Sequence, residues 1–106
     1  MTKMPIEAIS QLDPVIHSKV RLAVMSILAA VKEASFIYLK TAIGTTDGNL
    51  SVSLAKLEEA EYIKVNKSFQ GKKPLTTCVV TAKGRSAFAR HVKALDSILH
   101  MEIIED

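Results

Sequence analysis

Side chains able to do covalent or metal chemistry are few and scattered in this chain. His17, His91 and His100 are its histidines and Cys78 its one cysteine. No two histidines stand four residues apart, and none neighbours the cysteine, so metal-ligand spacing is missing. A single cysteine excludes an intramolecular disulfide. No nucleophile motif of a recognisable kind occurs. Gly44, Gly48, Gly71 and Gly84 sit at turns or helix starts and build no phosphate-cradling loop. Met1, Met4, Met25 and Met101 form no cluster. The expectation is a chain with no catalytic residue, no metal and no cofactor. What is concentrated is positive charge. Lys64, Lys67, Lys72, Lys73, Lys83, Arg85, Arg90 and Lys93 follow one another with no Asp or Glu between Tyr62 and Lys93. A one-sign block of that size attracts polyanions.

The remaining charge is segregated too. Glu58, Glu59 and Glu61 form an acidic knot, and Asp96, Glu102, Glu105 and Asp106 follow Ala94 without a Lys or Arg. The net charge is +3, so the pattern carries more information than the sum. The 106 residues suit one domain spanning 1–106. With 48% apolar and 24% charged residues the composition is that of a packed domain, neither disordered nor fibrous. No apolar run approaches the ~20 residues of a membrane helix. Met1 to Pro5 lacks a signal pattern, so a cytoplasmic protein without a membrane partner is expected.

The elements that must position the charged and polar groups are legible from caps and periodicity. Asp13 and Pro14 form a helix start, with Asp as cap and Pro at the first helical position. Ile16, Val20, Ala23, Val24, Ile27, Leu28 and Val31 then recur at steps of three and four, which predicts a helix over 14–31. Ile6, Ala8, Ile9 and Leu12 suggest a short helical arm before it. Ser35 can cap a second helix with Phe36, Leu39 and Ile43 on one face, and Gly44 can end it. Thr46 can cap a third, with Asp47 near its positive end. Leu50, Leu54, Leu57 and Ala60 mark that helix's buried side. Residues 62–69 alternate, with Ile63, Val65 and Phe69 toward the inside. Residues 70–74 read as a Lys-rich turn and 75–81 as the returning strand. A long helix follows over 82–104, with Phe88, Val92, Leu95, Ile98, Leu99 and Met101 as its apolar positions. The fold expected is α+β and mostly α: a helical core over 13–60, a β wing over 62–81 and the C-terminal helix.

Within that order, two short helices over 36–60 joined by a tight turn at Gly44 make a helix-turn-helix. The outer face of its second helix, 46–60, carries Thr46, Asn49, Ser51, Val52, Ser53 and Lys56, which are small or polar. Such side chains can reach base edges in the major groove of double-stranded DNA. Asn can bond adenine twice, Ser suits several edges, Val52 can touch a thymine methyl, and Lys56 suits a phosphate. The hairpin tip over 67–74 adds Lys67, Gln70, Lys72 and Lys73, placed for the backbone or the minor groove. Arg21 and Arg85 are further phosphate candidates.

The run from Gly44 to Ala60 resembles the recognition segment of winged-helix transcriptional regulators, and Tyr62-Ile63-Lys64-Val65 resembles the start of their wing. Thr81-Ala82-Lys83-Gly84-Arg85 is similar to the T-x-K-G-R step that opens their last helix. Arg21-Leu22-Ala23 resembles their R-L-x-I-L pattern. The similarity spans 13–99 and is greatest to small prokaryotic and archaeal regulators related to the MarR and ArsR groups. The resemblance implies dimeric DNA binding and repressor-like regulation. There are departures. Glu61 stands where this family usually has the glycine that ends the recognition helix. The three glutamates crowd that helix's negative end. The cysteine and histidine motifs of ArsR-type metal sensors are absent.

A homodimer is expected, glued by the last helix through Phe88, Val92, Leu95, Ile98, Leu99 and Ile103. Two recognition helices would then lie about 34 Å apart, one turn of DNA. A small-molecule effector is compatible with the resemblance, but no residue here offers it a handle. The alternative function is a winged-helix protein–protein interaction module of a transcription or assembly complex. The acidic knot favours that alternative and the basic wing opposes it.

Overall fold

The computed structural model describes residues 6–100. The elements run α1 (Ile6–Ser10), α2 (Lys19–Ala30), β1 (Ala34–Ser35), α3 (Phe36–Ile43), α4 (Asp47–Glu59), β2 (Ile63–Gln70), β3 (Lys73–Val80) and α5 (Ala82–Leu99). The fold is a winged helix, mostly helical with one small antiparallel sheet of strand order β1-β3-β2. The expectations for Met101, for Ile103, for the last helix beyond residue 100 and for the first five residues lie outside the described residues.

Local chemistry sets most boundaries as expected. Ser35 Oγ accepts from the Tyr38 amide (3.1 Å) and starts α3. Gly44, at φ 75°, ends it in the left-handed conformation that favours glycine. Thr46 Oγ1 accepts from the Asn49 amide (3.1 Å) to start α4, and Thr81 Oγ1 accepts from the Gly84 amide (2.9 Å) to start α5. The core draws one stripe from each helix: Val24, Met25 and Leu28 from α2, Leu39 from α3, and Leu50, Leu54 and Leu57 from α4. These close against Ile63 of β2 and Cys78 of β3.

Two expectations are corrected, and two further features leave no mark in the periodicity. The helix predicted over 14–31 begins only at Lys19. Asp13 does cap backbone, its Oδ1 accepting from Val15 N (2.8 Å) and Ile16 N (3.3 Å), but the cap starts a single turn. That turn ends in extended backbone at Ser18, because tertiary bonds hold it elsewhere. The Asp13 amide donates to His91 Nδ1 (2.9 Å), and Tyr62 Oη donates to Asp13 Oδ2 (2.5 Å). The turn thereby buries Ile16 completely.

The second correction is Phe69, which is 73% exposed rather than inside. Its phase along β2 matches Ile63 and Val65, but the hairpin outruns the core. Pairing continues to Gln70 opposite Lys73, so Gly71 and Lys72 alone turn the chain. Gly71 supplies the positive φ (66°) that a two-residue hairpin needs at its first central position. One feature without such a mark is β1, a two-residue strand pairing Ala34 with Cys78 and Ser35 with Thr77, too short to show as alternation.

The other concerns α5. Its fully buried stripe is Gly84, Ala87, His91 and Ala94, and the large apolar residues expected at a dimer contact lie outside that stripe. Phe88, Leu95 and Ile98 are half-buried, and Val92 (44%) and Leu99 (81%) are exposed. Gly84, Ala87 and Ala94 are small because α5 lies close to its neighbours, and His91 is held there by the Asp13 amide. A Cβ on Gly84 would stand 2.1 Å from the Tyr62 carbonyl oxygen.

Candidate nucleic-acid interface

Three residues, Gly44 to Thr46, separate α3 from α4, the length of a helix-turn-helix turn. Leu39 and Ile43 of α3 and Leu50, Leu54 and Leu57 of α4 pack into the common core, which fixes the face α4 turns outward. Lys40 Nζ meets Asp47 Oδ1 at 2.7 Å and ties the two helices across the turn. On the outer face of α4, Asn49, Val52 and Lys56 follow at steps of three and four, so they share one stripe, with Ser51 beside it. All four are exposed. Thr46 is exposed as well, and its hydroxyl oxygen is engaged as the helix cap. Ser53 is the exception among the expected contacts. It is only 6% exposed, three residues after Leu50 in the buried stripe, where a small side chain lets α4 sit close to the core.

The wing holds its cations out. Lys67, Gln70, Lys72 and Lys73 are exposed, as is Lys64 nearer the core. Among the described residues, none of the eight basic groups between Tyr62 and Lys93 lies within ion-pair distance of a carboxylate. Arg85 is exposed on the first turn of α5. Arg21 is half-buried, its Nε donating to the Val15 carbonyl. Arg21 and Lys56, distant in sequence, line one open cleft of about 490 Å³ together with Pro14, Val15, Glu59 and Ala60. The expected contacts are therefore spread over α4, the wing and two flanking helices.

The relative setting of α4, the wing and α5 depends on one junction. The Tyr62 amide donates to the Leu57 carbonyl (3.0 Å) and the Glu61 amide to that of Glu58 (2.9 Å). This is the Schellman pattern, with Glu61 in the left-handed position at φ 66°. The glycine this place favours is the one the sequence lacks. Thr81 then stitches α5 to the same corner: its Oγ1 donates to the Glu61 carbonyl (2.6 Å) and its amide to the Tyr62 carbonyl (3.0 Å). The acidic knot is partly used as well, since Glu58 Oε2 accepts from the Val65 amide (3.3 Å) on the outer edge of β2. Sequence reasoning marked Glu61 as a departure and Gly84 as part of a motif. It had no signal for the contact that joins them.

Titration behaviour agrees with a structural role for the buried polar groups. Burial, then the hydrogen bond to Asp13 and that carboxylate's charge, push the Tyr62 hydroxyl up to about 12. Burial, with Glu58 nearby, pushes the Cys78 thiol up to about 11, which leaves it protonated and weakly nucleophilic at neutral pH. His91 is held below its ordinary value by burial and by the neighbouring His17, against an opposing pull from Asp13. No group of three or more His, Cys, Asp or Glu able to hold a metal occurs among the described residues. No described helix is long and apolar enough to cross a membrane.

Comparison with known proteins matches this architecture to a family. The profile of the winged helix DNA-binding domain covers residues 20–99. The chain belongs to that family. It is a family of DNA-binding domains, not of enzymes. The uncharacterized protein MJ0432 of Methanocaldococcus jannaschii is 35% identical over 78 residues, spanning 74% of this chain and 85% of that protein. Among solved structures, a transcriptional regulator homologue from Pyrococcus horikoshii superposes with a TM-score of 0.81 at 23% identity, covering 88% of this chain and 94% of its own. A MarR-family transcriptional regulator from Silicibacter pomeroyi gives 0.61 at 13% identity, covering 91% and 66% respectively. The winged helix here is thus the fold seen in a MarR-family regulator, with α5 following the wing directly.

Proposed function

We propose that this chain is a sequence-specific transcriptional regulator that binds double-stranded DNA as a homodimer. In this reading α4 enters the major groove and Asn49, Ser51 and Val52 meet base edges. Lys56, Arg21 and Arg85 meet phosphates, and the wing follows the backbone into the adjoining minor groove. The observation that carries the reading is the pairing of two exposed features on one rigid junction. One is a helix face of small polar residues; the other is a hairpin of lysines with no carboxylate partner among the described residues. The first suits base edges and the second a phosphate backbone.

The dimer contact is assigned to the outer side of α5. Val92 and Leu99 are exposed there, Phe88, Leu95 and Ile98 are half-buried, and α1, which packs on α5, exposes Ile9. Selection of bound duplexes from a random-sequence pool at two salt concentrations tests the reading. An enriched palindrome gives the half-site spacing of a dimeric specific regulator. If each protomer neutralises about four or five phosphates, the log–log salt slope of the dimer is about −7 to −9. No binding at either salt refutes it.

A further inference from the structure

The wing carries one side chain that neither the core nor the phosphate backbone accounts for. Ile63, Val65, Lys67 and Phe69 lie on one face of β2, opposite Val80, Cys78, Thr76 and Pro74 of β3. The core consumes that face only as far as Val65 and Cys78. From Asn66 to Gln70 the hairpin projects, by about 13 Å at the usual rise per residue. At its end Phe69 stands 73% exposed, with Pro74 directly across the ladder and also exposed. An exposed aromatic ring at a hairpin tip carries a large apolar surface that a partner can bury. Lys67, Lys72 and Lys73 ring it, and no acidic residue occurs in the hairpin. Those like charges repel the wing of a second copy and attract a polyanion. A two-stranded ribbon is too broad for a minor groove about 6 Å wide, so what the two-residue turn can offer that groove is a side chain at its tip.

We propose that Phe69, backed by Pro74, is an apolar wedge that enters the minor groove of duplex DNA and partly unstacks a base step beside the wing. Phe and Pro are both side chains that proteins insert between base steps, and insertion kinks the duplex toward the major groove. Flexible pyrimidine–purine steps yield most easily, so the wedge confers preference at a position outside the reach of α4. The lysines supply attraction without sequence; Phe69 supplies the choice of step. The inference rests on the DNA-binding reading above.

The test uses a duplex of alternating thymine and adenine in which 2-aminopurine replaces adenine, so that every register sets a probe base beside the wing. Wild-type protein is expected to raise the 2-aminopurine fluorescence on binding. Phe69→Ala is expected to abolish the rise while leaving the salt slope unchanged. Phe69→Leu is expected to retain most of it, leucine being another wedge side chain. Lys73→Ala is expected to keep the rise and to reduce the magnitude of the slope by about 0.9 per protomer. Exposure of Phe69 means the substitutions leave the core untouched. Binding by wild type without a rise, or a rise that survives in Phe69→Ala, overturns the wedge and leaves DNA binding standing. A Phe69→Ala protein that dissociates into monomers without DNA assigns the ring to a protein contact and also overturns it. Failure of wild type to bind the duplex overturns the wedge and the DNA reading together.

Discussion

Replacement of Gly84 by alanine isolates the contact that sets α5 against the wing. The added Cβ would lie 2.1 Å from the Tyr62 carbonyl oxygen, 2.8 Å from its carbon and 3.0 Å from its Cα. Ordinary carbon–oxygen contact needs about 3.3 Å, so more than 1 Å of relief is required. The obstacle is backbone, and it is pinned. The Tyr62 carbonyl accepts from Thr81 N, the Tyr62 amide donates to Leu57, and Thr81 Oγ1 holds both the Glu61 carbonyl and the Gly84 amide. Moving α5 outward would stretch the two Thr81 bonds to the Glu61–Tyr62 corner and loosen Ala87 and His91 on the same buried stripe. Overpacking of this kind costs about 1–3 kcal/mol or more, and the two weakened hydrogen bonds add about 1 kcal/mol each. Alanine's better helix propensity returns about 1 kcal/mol. The expected net loss is about 2–4 kcal/mol, a fall in Tm of roughly 10–25 °C for a domain of this size. Urea and thermal unfolding followed by circular dichroism measure it. Gly48→Ala is the matched control, since nothing lies within 4 Å of its Cβ and its φ is not positive. That variant should be unchanged or slightly more stable. If Gly84→Ala were as stable as Gly48→Ala, the argument that this close approach fixes the junction would be refuted.

Glu61→Gly should stabilise the fold by about 1 kcal/mol. Relief of a left-handed non-glycine residue, worth about 1–2 kcal/mol, exceeds the extra unfolded-state entropy of glycine, about 0.5–1 kcal/mol; a lower urea midpoint would contradict this. Stability should decline on acidification through pH ~6.5. His91 has a depressed folded-state value, because burial and His17 oppose its charge and Nδ1 already accepts from Asp13 N, while the Asp13 carboxylate pulls the other way. Below the unfolded value the unfolded chain binds a proton the native state refuses, so the stability present above pH ~6.5 falls by up to about 1.4 kcal/mol per pH unit. Urea midpoints at pH 7.5 and 5.5, compared with those of His91→Gln, report it; equal pH slopes in the two proteins would exclude His91 as the source. Cys78 should resist alkylation by iodoacetamide at pH 8 until urea unfolds the chain; rapid modification of native protein would show its burial to be wrong. On a selected DNA site, Asn49→Ala should lose about 1–3 kcal/mol of discrimination at one base position. Lys73→Ala should weaken all sequences alike, and a loss confined to one base position would assign base readout to Lys73.

The legible part of this protein is its local chemistry. Ser35, Thr46 and Thr81 cap helices because their hydroxyls reach an amide two or three residues on. Gly44 ends a helix because it alone tolerates the left-handed turn cheaply. Leu39, Leu50, Leu54 and Leu57 are inside because their spacing puts them on one side of a helix. From those rules the order of elements apart from β1, the helix-turn-helix and the outward set Asn49, Ser51, Val52 and Lys56, though with Ser53 wrongly among them, could be read from spacing. The readings that failed needed distances between residues remote in sequence. Asp13 capped a turn instead of a long helix because Tyr62 and His91 hold it from 49 and 78 residues away. Phe69 kept the correct phase yet faced solvent, since alternation says which side a residue takes and nothing about where the core stops. Ser53, Gly84, Ala87 and Ala94 are buried because close helix approach selects small side chains, a matter of packing distance rather than hydrophobicity, and His91 is buried because it accepts from the distant Asp13 amide. Periodicity and capping thus determined the elements by themselves. Only tertiary packing decided how α4, the wing and α5 meet at Glu61, Tyr62 and Gly84, because that junction is a contact between backbones and leaves no mark in hydropathy.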